Sequence, residues 1–116
     1  MPKVANASKG SIVAEDVDIA DTFWSRFRGL MGRASLPLGK GLFLNRTSSI
    51  HTAFMRFPID VVFVDRASRV LKVVPELKPF RAALSRGHSA LELPAGGAGR
   101  AHIEQGDVLQ LEDGRS

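Results

Sequence analysis

The run SSIHTAFMRFPIDVVFVD, Ser48 to Asp65, constrains the fold more than any other part of the chain. Its second half, Ile59–Val64, is apolar on both faces once Asp60 is set aside. A strand of that kind needs cover on both sides, which predicts a central position in a sheet. The same run carries His51, Met55, Arg56 and Asp60. Polar and charged groups cost free energy when buried without partners. Each therefore needs a structural or a functional reason for its place.

The chain has 116 residues, enough for one domain around one core. It contains no Cys, which excludes disulfides, thiolate metal sites and Cys nucleophiles. No apolar run approaches the ~20 residues that span a bilayer. The start, MPKVANASKG, has no apolar h-region of a signal peptide. The expected location is cytoplasmic, with export after trimming of a leader as the alternative. Basic residues number 16 against 12 acidic ones, and 11 of the 16 are Arg. Arg suits bidentate recognition of carboxylate or phosphate. Yet a net charge of +4 without any basic run argues against a nucleic-acid partner.

The chain shows no repeat and no internal domain boundary. Residues 1–10 are small and polar and are expected to form a flexible N-terminus ahead of a single β-rich domain at 11–113. Residues 11–19 alternate weakly and predict a first strand. Phe23, Phe27, Leu30 and Met31 then recur at helical spacing beside Trp24, which predicts an amphipathic helix at about 22–32. Trp24 and Phe27 are expected to anchor it. Further strands are predicted at Gly41–Asn45, Ile50–Met55, Ile59–Val64, Arg69–Val74, Ser89–Leu93 and Val108–Glu112. Turns are expected at Asp65–Ser68 and Gly106-Asp107, and a short helix over Pro94–His102 started by Pro94. Glu92, Glu104 and Glu112 are expected on solvated faces. The Gly96–Gly99 stretch lacks the G-K-[ST] of a phosphate loop, so it is read as a turn.

Five blocks occur in a distinctive order: RGLMGR (Arg28–Arg33), GLFL (Gly41–Leu44), HTAFMRFPIDVVFVD (His51–Asp65), LELPAG (Leu91–Gly96) and GD (Gly106-Asp107). In order and spacing they resemble the bacterial and archaeal family called domain of unknown function 192, over about residues 12–112. The resemblance implies a compact, mainly β, jelly-roll-like sandwich or flattened barrel with one or two short helices. Many members of that family carry a secretory or lipoprotein leader. The resemblance implies a fold and leaves function to the residues.

Among those residues, His51, Met55, Arg56 and Asp60, with Arg28 nearby, are the expected lining of one ligand cleft. Arg26 and Arg33 flank the same blocks. Several guanidinium groups converging there would suit an anionic small molecule. The expected function is accordingly a non-catalytic small-ligand-binding or accessory domain with no cofactor. One alternative is a small hydrolase, with Asp60 orienting His51 as base. That chemistry needs a nucleophile, and Ser48, Ser49 and Thr52 are the nearest in sequence. A second alternative is soft-metal binding. His51 and Met55 are four residues apart and share a face in either a strand or a helix, and imidazole with thioether suits Cu(I). Two ligands do not complete a site, so Met31, His88 or His102 would have to supply the rest.

Overall fold

The computed structural model describes residues 2–20, 22, 35–52 and 55–112. Among these residues the strands are β1 (Lys3–Asn6), β2 (Ser11–Ala14), β3 (Asp16–Ala20), β4 (Lys40–Leu44) and β5 (Ser49–His51). They continue with β6 (Ile59–Val64), β7 (Val70–Leu77), β8 (Ala82–Leu84), β9 (Ser89–Pro94) and β10 (Leu109–Glu112). One short helix, α1 (Gly97–Arg100), follows β9. The fold is mainly β. Its strands form three separate sheets and close no barrel among the described residues.

The largest sheet has the order β3-β4-β9-β6-β7. Its first pair is parallel and the others are antiparallel. Side chains of β6 alternate between two apolar layers, as the two-residue period of a strand requires. Val62 and Val64, with Leu91, Leu93 and Val17, meet Val4, Ala14 and Leu109 of a second sheet and Ala98 of α1. That second sheet is antiparallel, in the order β10-β1-β2. Ile59, Val61 and Phe63 face the other way, against Leu42, Leu44, Ala90, Ile50 and Met55. The β5–β8 ribbon and the segments around Leu36 and Phe57 cover that side. Burial on both faces accounts for the uninterrupted apolar run at Ile59–Val64, every residue of which is buried.

The Asp65–Ser68 turn forms as expected. The Asp65 carbonyl accepts the Ser68 N–H at 3.0 Å, and Asp65 Oδ1 accepts the N–H groups of Ala67 and Arg69. This is the local competition for backbone donors that makes Asp a turn residue.

Other expectations need correction. Residues 11–19 are two strands in different sheets. The chain breaks at Glu15, where the Glu15 and Asp16 N–H groups both donate to the Gly39 carbonyl. Lys3–Asn6, expected to be flexible, form the middle strand of the second sheet, with Val4 in the core. The strand expected at Ile50–Met55 stops at His51. Pro94 ends β9 instead of starting a helix, and α1 begins after Gly96, whose φ of 86° suits glycine. Glu92, expected in solvent, is buried at 3% exposure in the middle of β9. The helix expected at 22–32, with its Trp24 and Phe27 anchors, lies outside the described residues beyond Thr22. No helix among the described residues is long and apolar enough to cross a membrane.

Candidate functional site

The structure separates the residues expected to share a cleft. Asp60 is 1% exposed and projects from β6 toward α1. Its Oδ1 accepts the N–H groups of Glu76 and Gly96 at 2.9 and 3.1 Å, and its Oδ2 accepts that of Ala98 at 2.9 Å. One carboxylate thereby ties together β6, β7 and the first turn of α1. These bonds satisfy backbone donors that α1 cannot satisfy internally. Met55 is buried in the opposite layer, beside Ile50 and Ile59. His51 and Arg56 are exposed. Arg28, with Arg26 and Arg33, lies outside the described residues.

Two pairings expected from sequence spacing are therefore not brought together. Asp60 faces the layer that contains Val62, whereas the β5 strand bearing His51 packs on the other layer through Ile50. Asp60 is committed to backbone donors and does not orient His51. Met55 turns into the core while His51 turns to solvent. Spacing of four implies a shared face only within one regular element, and the chain leaves β5 at His51. Among the described residues, no group of three or more His, Asp or Glu could hold a metal ion.

A second polar cluster ties the β1–β2 turn to the loop before β10. Asp107 Oδ2 accepts Asn6 Nδ2, Lys9 Nζ and the Glu104 N–H, each at 2.9 Å. Lys9 also pairs with Glu104 at 2.9 Å. The hydrogen bond from Asn6, then that from Lys9, then the Glu104 N–H hold the Asp107 carboxyl down at about 2, below its ordinary value of 3.8. Partial burial opposes them. A depressed carboxyl favours the folded state above its ordinary value, and that contribution is lost as pH falls toward the folded value. The melting midpoint of the wild type is expected to fall between pH 4 and pH 2 more steeply than that of Asp107→Asn. Parallel acid limbs in the two proteins would show that Asp107 is not the group responsible.

A different set of groups does converge. In the central sheet β4 and β6 are both antiparallel to β9, so they run in the same direction on either side of it. Their last residues lie at the start of β9, with Val64 opposite Ser89 and Leu44 opposite Ala90. The loops leaving β4 and β6 therefore meet the loop entering β9. Arg46, Ser48, Arg66, Gly87 and His88 line an open depression of about 510 Å³ at that end. A volume in this range accommodates a small ligand. The lining holds no carboxylate and no large apolar side chain. None of the ion pairs among the described residues involves Arg46, Arg66 or His88.

Backbone hydrogen bonds hold the frame around the depression. The His88 N–H donates to the Val64 carbonyl at 2.8 Å, and the His88 carbonyl accepts the Thr47 N–H at 2.9 Å. The loop from β8 is thus stitched to both neighbouring strand ends. His88 Nδ1 lies 3.1 Å from Ser89 Oγ, which donates to Asn45 Oδ1. Nδ1 is then the donor to Ser89 Oγ, and Nε2 of the neutral ring is an acceptor. Gly87 is required here, because a Cβ would stand 2.8 Å from the Val64 carbonyl oxygen. Arg46 has φ of 54°, a left-handed conformation that non-glycine residues adopt at a cost. Asp65, next to Arg66, turns its Oδ1 onto the turn N–H groups.

Sequence reasoning missed this cluster, except for Ser48 as a nucleophile candidate and His88 as an extra metal ligand. The signal was an Arg two residues past the end of each of two apolar strands. It becomes readable only once β4 and β6 are known to flank β9.

Comparisons with known proteins fit the architecture. The chain is 34% identical to a UPF0127 protein of Thermococcus sibiricus, over 92% of this chain and 73% of that one. It is 35% identical to a UPF0127 protein of Pyrococcus horikoshii, over 92% and 96% of the respective chains. Two solved structures share the fold. A protein of unknown function from Novosphingobium aromaticivorans superposes with a TM-score of 0.79 at 23% identity, covering 94% of this chain and 82% of that one. A putative transcription regulator from Sinorhizobium meliloti gives 0.81 at 21% identity, covering 95% and 91%. A family model described as DUF192, uncharacterized ACR, matches residues 4–111. That match takes in β1 to β10, both apolar layers and the loops around the depression, and the chain belongs to the DUF192 family.

Proposed function

We propose that this protein is a non-catalytic binding domain for a small anionic molecule, held at the Arg46–Ser48–Arg66–His88 depression. The observation that carries this reading is the meeting of two guanidinium groups and an imidazole in one hollow without a lining carboxylate. Exposed arginines are usually offset by nearby acids, and such surface pairs contribute ~0–1 kcal/mol. Two arginines without an ion pair, on two of the loops around one hollow, are arranged for a ligand's charge. The non-catalytic part of the reading is supported by Asp60, whose carboxylate serves three backbone donors and is not the orienting acid of a His51 base.

The test is thermal denaturation at low ionic strength with a panel of small multivalent anions: phosphate, sulfate, succinate and citrate. A ligand that binds only the folded state raises stability, by ~2.7 kcal/mol at one hundred times its Kd. At least one anion is expected to raise the wild-type midpoint. The Arg46→Ala/Arg66→Ala double variant is expected to melt like the wild type without anions and to lose the response. Equal responses in both proteins, or none in the wild type, would reject the site.

A further inference from the structure

We infer that the group bound in the depression is a phosphoryl dianion attached to a small, polar body such as a polyol. This rests on the reading of the depression as an anion site. Its lining comes from three separate loops: Arg46 and Ser48 after β4, Arg66 after β6, and Gly87 and His88 before β9. A carboxylate presents two oxygens in one plane, which a single guanidinium fork satisfies. A phosphoryl group presents three oxygens in a tetrahedral array, open to donors from several directions. Two fixed guanidinium charges also match a dianion better than a monoanion. Arg46 and Arg66 supply forks and Ser48 a hydroxyl. The depression of about 510 Å³ exceeds what a phosphoryl group fills, so room remains for an attached body. The lining offers no Phe, Tyr, Trp or aliphatic side chain to that body.

The experiment is calorimetry on the full chain with inorganic phosphate, glycerol 3-phosphate, acetate, succinate and a short DNA duplex at one pH and matched ionic strength. Both phosphate probes are expected to bind at least ~10-fold more tightly than either carboxylate. Arg66→Ala should weaken phosphate ~10-fold, and Arg66→Lys, which keeps the charge and loses the fork, should recover only part of the loss. Melting midpoints without ligand should stay level, because Arg46 and Arg66 are exposed. Tighter binding of succinate would overturn the phosphoryl assignment and leave the anion site standing. Tight binding of a short DNA duplex that phosphate does not displace would overturn it in favour of a nucleic-acid backbone. Absence of binding by every probe, or equal phosphate binding by wild type and Arg46→Ala/Arg66→Ala, would overturn both readings.

Discussion

Asp60→Ala is expected to destabilise the protein by ~3 kcal/mol or more, although Asp60 touches none of the residues around the depression. A buried donor left without an acceptor costs ~1–3 kcal/mol. This substitution orphans the N–H groups of Glu76, Gly96 and Ala98 at once. Asp60 is 1% exposed, so water has no ready access to replace the lost carboxylate. The loss also frees α1 from β6. Asp60→Asn is expected to recover part of the stability, since its carbonyl oxygen still accepts while its amide nitrogen opposes another donor. Denaturant unfolding decides the matter. An unchanged midpoint for Asp60→Ala would mean that the three bonds do not hold the sheet to α1.

Phe63→Ala should cost ~3–5 kcal/mol, the range for deleting a fully buried aromatic side chain. Phe63 is 0% exposed and is among the largest fully buried side chains of the described residues. It stands in β6 between Ala90 of β9 and Lys72 of β7, and packs in the layer with Leu44, Ile59 and Met55. Phe63→Leu, which keeps most of the volume, should cost much less. A loss below ~1 kcal/mol for Phe63→Ala would show that the layer collapses into the cavity. Both substitutions act on the central strand, one on each face, and their effects test the two layers separately.

The central strand was legible in the sequence because its signal is local. Ile59–Val64 is apolar at every position but one, and only a strand covered on both faces tolerates that pattern. The Asp65 turn was legible for the same reason, since its hydrogen bonds run within five residues. Asp60 was correctly singled out as needing partners. Their identity was not legible, because Glu76, Gly96 and Ala98 are far away in sequence. Glu92 shows the reverse failure. Alternation with Leu91 and Leu93 implied a solvated face, yet both faces of β9 are covered.

What the sequence determined by itself was the kind of object: a mainly β domain of one family, built around one strand with two apolar faces. Local period, turn chemistry and block order suffice for that, because each depends on neighbours along the chain. What only the tertiary structure decided was which polar groups meet. His51 and Asp60 are nine positions apart and lie on opposite sides of a sheet, whereas Arg46, Arg66 and His88 span more than forty positions and line one hollow. A strand reverses side-chain direction at every residue, so closeness in sequence says little about shared faces. Strand order set the meeting of the loops, because β4 and β6 run in the same direction beside β9 and deliver their ends to one place.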